Sequence, residues 1–279
     1  MKPISTDMEN IFCSMQLRED EYLDETSNLI HCSRCRTPRQ KRFDMNGKQF
    51  EPRCMCACQA EAYERREQER KQQGFLDMVA KNRSLGLTDP MLRKHTFEND
   101  LGYNPKQMKM AKRFVENWDE FRKNAMGLLL WGYVGTGKSY IAGCIANALL
   151  DKGVPVMMTN FARLLNKLTD MYSGDRNAYI DSFNSFPLLI IDDLGVERNS
   201  EFAREQVFNI IDGRYRSQLP MIVTTNLTLD ELKNPADLAR ARIYDRVLER
   251  CTAIKVNDQN IRKLNMTGNL TRAKQLLGG

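Results

Sequence analysis

No stretch of this chain constrains its fold more than residues 127–151, GLLLWGYVGTGKSYIAGCIANALLD. Gly132, Gly137, Lys138 and Ser139 stand there at the spacing G-x-x-x-x-G-K-S. The apolar run Leu128 to Trp131 before them suits a buried strand. After them Ile141, Ile145, Ala148 and Leu149 share one helical face. A glycine-rich loop between a strand and a helix is the context this motif requires. Its glycines let the backbone approach a polyphosphate, and the helix N-terminus adds partial positive charge. Lys138 would reach the β- and γ-phosphates, and the Ser139 hydroxyl would hold Mg²⁺. Gly132, Gly135, Thr136, Gly137, Lys138, Ser139 and Tyr140 are the candidate nucleotide contacts.

A second stretch completes that chemistry. Residues 187–195 read PLLIIDDLG. Four consecutive apolar residues describe a strand buried on both faces, as in a parallel sheet. Asp192 and Asp193 close it. Asp192 is placed to hold Mg²⁺ through water, and Asp193 to orient or deprotonate an attacking water. Residues 220–226, PMIVTTN, form another buried strand, with Asn226 at its tip. An asparagine there can bond a γ-phosphate or the nucleophilic water, and is also an ordinary turn former.

The cysteines point to a different element. Six of eight lie before residue 60, and five of these fall within CSRCRTPRQKRFDMNGKQFEPRCMCAC, residues 32–58. Cys32 and Cys35 make a C-x-x-C turn, and Cys54, Cys56 and Cys58 follow as C-x-C-x-C. Lys41 to Phe50 between them reads as a hairpin turning at Asn46-Gly47. Two thiolate pairs joined by a hairpin is a zinc-ribbon arrangement, and a closed four-cysteine site is structural. Five cysteines compete for four places, so one of the last three is spare. His31 beside the first pair reads as a bystander. An iron–sulfur cluster is the minor alternative. Cys13 stands apart as a small apolar contact.

The remaining composition narrows the class. Hydrophobic residues make up 42% and charged residues 28% of 279, which suits a globular chain of one ordinary and one smaller domain. No apolar run approaches a membrane span, and MKPISTDMEN lacks an apolar signal core, so a cytoplasmic location is expected. A net charge of +6 permits nucleic-acid binding without requiring it. Residues 1–30 are polar and acidic and read as a short helix or a partly ordered arm carrying Ile11, Phe12 and Leu17.

Residues 59–84 predict a solvated connecting helix that Gly74 weakens or breaks. Pro105 to Asn124 predicts a helix with Phe114, Val115, Trp118 and Phe121 in the core. Val154 to Thr159 reads as a strand. The helical stretch Phe161 to Tyr172 follows, broken at Ser173-Gly174-Asp175. Further helices are predicted over 200–216, over 236–250 with Arg240, Arg242, Arg246 and Arg250, and over Ile261 to Leu277. Ala253 to Val256 reads as a last strand.

With GYVGTGKS, LLIIDDLG, IIDGRY and VTTNL in this order, residues 85–265 resemble the AAA+ ATPases of the DnaC/DnaI-type helicase-loader and IstB group. The cysteine module, with TPRQ after its first pair, resembles the zinc module of loaders in Gram-positive bacteria and their phages. The resemblance implies an α/β fold: a parallel five-stranded sheet with helices on both faces and little or no lid, preceded by a small zinc module. It divides the chain into a helicase-interacting module (1–60), a helical linker (61–95) and an AAA+ domain (96–279). It implies ATP, Mg²⁺ and Zn²⁺ as cofactors, and a sensor role for Asn226. Arg246 becomes an arginine finger acting on a neighbour's ATP, with Arg242 assisting, and Arg262 takes a sensor-2-like role. Lys167, Tyr172 and Ser200 match the family's DNA path, although Tyr172 reads equally as core. Asp193 stands where the family more often has glutamate, and its shorter side chain suits a switch more than a motor. The implied function is ATP-dependent loading of a hexameric DnaB-type helicase onto single-stranded DNA, with self-association through the ATPase domain. The alternatives are an IstB-like transposition ATPase that directs a transposase, and a zinc-module adaptor with a vestigial nucleotide site.

Overall fold

Antiparallel pairing of β1 (Glu21–Leu23) with β2 (Ile30–Cys32) sets Glu21 opposite Cys32 and starts the first of two units, Met1–Phe75 and Leu76–Gly279. The computed structural model describes residues 17–195, 200–256 and 259–277, so Ile11, Phe12 and Cys13 lie outside the described residues. The expected hairpin forms from β3 (Phe43–Met45) and β4 (Lys48–Phe50). Asn46 and Gly47 both take positive φ, 55° and 74°, as a type I′ turn demands.

Among the described residues of this first unit, the buried apolar ones are Ile30, Cys32 and Cys56. An ion-pair network centred on the buried Arg39 and Glu21 accompanies them. The Arg39 guanidinium donates to Glu21 at 3.1 Å and to Asp20 at 2.5 Å. Arg53 meets the same Glu21 carboxylate at 3.0 Å. Such a network holds together only while all its charges stay paired.

α1 (Ala57–Gly86) runs straight through Gly74, where the sequence predicts a weakening or break. One glycine costs about 1 kcal/mol relative to alanine. The run of Ala, Glu, Arg and Gln before it outweighs that. Gly86 is required at the other end, because a Cβ there would lie 1.8 Å from the Val156 carbonyl oxygen.

The second unit is built on a sheet ordered β6-β7-β8-β5-β9, with every pairing parallel. Its strands are β5 (Gly127–Trp131), β6 (Val156–Asn160), β7 (Leu188–Leu194), β8 (Met221–Thr225) and β9 (Cys251–Lys255). Alternation along each strand feeds two cores. Leu128, Leu130, Ile190 and Ile222 pack with α2 (Pro105–Glu116) and α4 (Lys138–Asp151). Leu129, Leu189, Ile191 and Val223 pack with α5 (Phe161–Thr169), α7 (Glu201–Arg216) and α9 (Leu238–Arg250). Phe114, Val115 and Trp118 are buried and Phe121 packs against them, as expected. This is the expected five-stranded parallel sheet with helices on both faces.

Two helix boundaries differ from the sequence reading. The helix predicted over 105–124 is split into α2 and α3 (Trp118–Lys123), because the Asn117 side chain donates to the Arg113 carbonyl at 2.8 Å and ends the first helix locally. Ser173-Gly174-Asp175 opens α6 (Ser173–Ser182) and does not break a helix. Asp175 suits a helix N-terminus, and the interruption falls at Asp170–Tyr172. The chain is completed by α8 (Leu229–Lys233) and α10 (Ile261–Leu277). Among the described residues no helix is long and apolar enough to cross a membrane.

Candidate nucleotide site and cysteine centre

Parallel strands deliver their C-terminal ends to one edge, and that edge carries the candidate nucleotide site. Gly135 and Gly137 hold positive φ, 79° and 100°. A Cβ on Gly135 would lie 2.5 Å from Asn260 Oδ1, which would have to move, and the positive φ itself favours glycine there. Lys138 is 5% exposed, and its ammonium donates to the carbonyls of Gly132 (2.8 Å) and Tyr133 (2.7 Å) and to Asn226 Oδ1 (2.7 Å). Burial lowers its pKa, against the pull of Asp193 and Asp192.

The two acids do different things. Asp192 Oδ1 accepts from Ser139 Oγ at 2.9 Å and from Thr224 Oγ1 at 2.5 Å. Asp193 has φ 62° at a register shift between β7 and β8, a bulge that redirects its side chain. Its N–H is held by Thr224 Oγ1 at 3.0 Å. Burial, and then Asp192, raise the pKa of Asp193 above the ordinary carboxylate value.

A cavity of about 630 Å³ lies over these groups, and its walls include Gly135 to Tyr140, Asp193, Asn226 and Arg262. That volume is in the range of small-ligand sites. The structure thus gathers the predicted loop, acid, asparagine and Arg262 around one space. Arg246 is not part of that wall. Tyr140 lines it with its hydroxyl bonded to the Thr96 carbonyl at 2.9 Å. Asn104 donates to the Thr136 carbonyl at 2.9 Å, and its buried Oδ1 has no partner among the described residues. A glycine cradle, a buried cation, a hydroxyl–carboxylate pair and an unpaired acceptor fit a nucleoside triphosphate with its metal. Ser139 and Asp192 are the groups that would hold that metal.

Sequence reasoning missed four contributors. Thr224 joins both acids. Asn104 braces the loop. Asn147, inside α4, donates to the carbonyls of Leu92 (2.8 Å), His95 (2.9 Å) and Gly143 (3.0 Å), fixing residues 92–95 on that helix. His95 then packs against Gly143 and the Tyr140 ring. The threonine pair in VTTN was the one visible signal.

The predicted DNA-facing residues lie apart from the cavity wall. Tyr172 is 86% exposed, so it is not core. Lys167 places its ammonium 4.4 Å from the centre of the Tyr179 ring. Ser200 is exposed and caps α7, accepting from the Ala203 N–H at 3.1 Å.

In the first unit Cys32, Cys35, Cys56 and Cys58 bring their sulfurs within 4.8 Å of one another. Cys32 and Cys58 are 3.7 Å apart, and Cys56 and Cys58 are 3.3 Å apart. Four sulfurs at zinc-bond length in a tetrahedron lie about 3.8 Å apart. The donor set therefore fits Zn²⁺. Cys54 is the spare cysteine, turned to the Pro38 carbonyl at 3.7 Å. His31 is engaged by Ser27 and the Arg36 carbonyl. The Thr37 hydroxyl pulls the Cys35 thiol down to about 5. Hydrogen bonding to Cys56 and then Cys35 pushes the Cys58 thiol up to about 12. TPRQ also acquires reasons. Thr37 accepts from the Ala57 N–H at 2.9 Å, Pro38 bridges to His31, Arg39 joins the ion-pair network, and Gln40 accepts from the Ile30 N–H at 2.7 Å.

Comparison with known proteins gives this geometry relatives. The replicative helicase loader DnaC of Buchnera aphidicola (subsp. Schizaphis graminum) is 30% identical over 146 residues, which is 51% of this chain and 57% of that protein. The chain thus spans just over half the length of that relative. The replicative helicase loader DnaI of Bacillus subtilis (strain 168) is 24% identical over 270 residues, covering 87% of this chain and 81% of that protein. A crystal structure of DnaI superposes with a TM-score of 0.51 at 25% identity, over 61% of this chain and 94% of that one. The family model of IstB-like ATP binding proteins matches residues 65–268. With most of its length matched, the chain belongs to the IstB-like ATP-binding protein family.

Proposed function

We propose that the chain is an ATP-switched loader of a hexameric, DnaB-type replicative helicase. The observation that carries this reading is the extent of the likeness to DnaI. It is longer than the Leu76–Gly279 unit alone, so it reaches into the cysteine-bearing unit. A likeness to a named helicase loader across both units favours this reading over a transposition ATPase. The intact Lys138, Ser139, Asp192 and Asp193 cluster argues against a vestigial nucleotide site.

In this reading residues 1–60, held by Zn²⁺, grip the helicase, 61–95 connect, and 96–279 bind and hydrolyse ATP. Lys138 leaves the carbonyls of Gly132 and Tyr133 for the β/γ-phosphates. Ser139 and Asp192 would hold Mg²⁺, whose chemistry there would be to neutralise charge on the phosphate oxygens. Asp193 orients the attacking water, Asn226 reports on the γ-phosphate, and Arg262 contacts the phosphates from α10. Arg246 serves a neighbour's site. Lys167, Tyr172 and Ser200 contact single-stranded DNA, and the exposure of Tyr172 supports base stacking. Hydrolysis releases helicase and DNA.

A pull-down with ATP tests the reading. Immobilised protein incubated with ATP should retain a hexameric replicative helicase. Retention of a transposase in its place would overturn it.

A further inference from the structure

Arg246 is held in an unusual way for a surface arginine. Its Nε donates to Asp212 Oδ1 at 2.8 Å, and its Nη1 to the Arg242 carbonyl one turn earlier on α9, also at 2.8 Å. The guanidinium lies 4.9 Å from the Phe208 ring centre and 5.7 Å from that of Tyr215. Tyr215 is itself fixed, its hydroxyl 3.0 Å from each carboxylate oxygen of Glu249. Asp212 is 8% exposed and also pairs with Arg216 at 2.7 Å. Among the described residues nothing takes the Nη2 of Arg246, although a guanidinium has five donors in a fixed fork.

We infer that Asp212 is the positioning residue for Arg246. Two edges of the fork are occupied and its plane is held against two aromatic rings. One edge is left to meet an anionic oxygen from outside the protomer. A long side chain that would otherwise sample many rotamers is set before the partner arrives, which is what a transition-state contact requires. Asp212 does not touch the nucleotide of its own protomer. It acts through Arg246 on the neighbour's phosphates. The inference rests on the reading that Arg246 acts in trans.

The test is hydrolysis in mixed oligomers. Asp212→Ala should bind ATP as the parent does and lower kcat about 100-fold, the size of a misplaced catalytic contact. Asp212→Asn keeps an acceptor for Nε and should recover part of that loss. Each is then mixed with Asp193→Asn, whose own site is inactive but whose Arg246 is intact. Activity should return, because the Asp193→Asn protomer presents a well-held Arg246 to the intact site of the Asp212→Ala protomer. A merely structural role for Asp212 would damage both sides of the protomer and give no recovery. An Asp212→Ala homo-oligomer at parental kcat overturns the inference. So does failure of its mixture where Arg246→Ala, run in parallel with Asp193→Asn, is rescued. If the Arg246→Ala mixture also stays inactive while hetero-oligomers form, the trans reading of Arg246 falls and the role of Asp212 falls with it.

Discussion

Asp193 occupies a left-handed backbone position that most side chains resist, and the strain is stored beside the candidate nucleotide site. Aspartate and asparagine tolerate that conformation because their short polar side chains bond locally. Asp193→Asn therefore keeps the bulge and removes only the carboxylate. It should leave ATP affinity near the parental value and lower hydrolysis by roughly 100-fold or more, the range of a lost general base. Steady-state kinetics beside equilibrium nucleotide binding will check it, and hydrolysis at the parental rate would remove Asp193 from the water-orienting role. Lys138→Ala acts on binding. It removes the one buried ammonium of the loop, so both ATP affinity and ATP-dependent assembly should be lost, and unchanged affinity would refute the phosphate assignment. The residues behind these two predictions were legible because their spacing is dictated by the phosphate group itself. Thr224, Asn104 and Asn147 were not. Each is a polar residue inside or at the end of an ordinary element, and its partner is a carbonyl, an N–H or a carboxylate many positions away. Only folding brings those groups within reach.

Among the elements, α7 carries a constraint that its sequence conceals. Arg214 reads as one more basic residue at a helix end, yet it is 1% exposed. Its guanidinium donates to the carbonyls of Phe183, Phe186, Pro187 and Pro220, at 2.7 to 3.4 Å. It thereby ties the end of α7 to the segments entering β7 and β8. Arg214→Ala would leave several buried carbonyls unpaired at about 1–3 kcal/mol each. Thermal unfolding should show Tm lower by about 10 °C, at 2–4 °C per kcal/mol for a domain of this size. A shift under about 2 °C would mean that those carbonyls find other partners. The strands of the parallel sheet were legible because uninterrupted apolar runs admit few alternatives, whereas β1 and the start of β2 lie where the sequence reads as a short helix or partly ordered arm, too short and too polar to show a strand pattern. The break at Asn117 and the unbroken passage of α1 through Gly74 were not legible either, because each turns on a cost near 1 kcal/mol that neighbouring residues decide. The cysteine element was legible in its chemistry but not in its membership. Spacing alone could not exclude Cys54, whereas the fold turns it toward Pro38. Cys35→Ser should abolish zinc binding and unfold the first unit while the second unit keeps its cooperative transition, since structural zinc contributes roughly 10–16 kcal/mol to such modules. Cys54→Ser should retain one zinc per chain. Metal analysis of the purified variants separates the two, and loss of zinc from Cys54→Ser would reverse the assignment.

At the scale of the whole molecule, a unit with a four-cysteine cluster and a unit with a candidate nucleotide site share one chain. Each has its own source of stability: a four-cysteine cluster with an ion-pair network centred on Arg39 and Glu21 in the first, and a doubly covered parallel sheet in the second. That division lets a partner be held by one unit while the other changes state with its nucleotide, which is what an ATP-switched loader requires. The most direct measurement is helicase transfer onto circular single-stranded DNA, which has no end to thread. Hexameric helicase, the circle and ATP are combined with the protein, and both proteins are counted on the isolated circles. The parent should raise the helicase bound several-fold and then leave the circles as ATP is hydrolysed. Asp193→Asn should raise the helicase bound and stay with it, and Lys138→Ala should do neither. Helicase bound in equal amount with and without the protein would contradict the loader function.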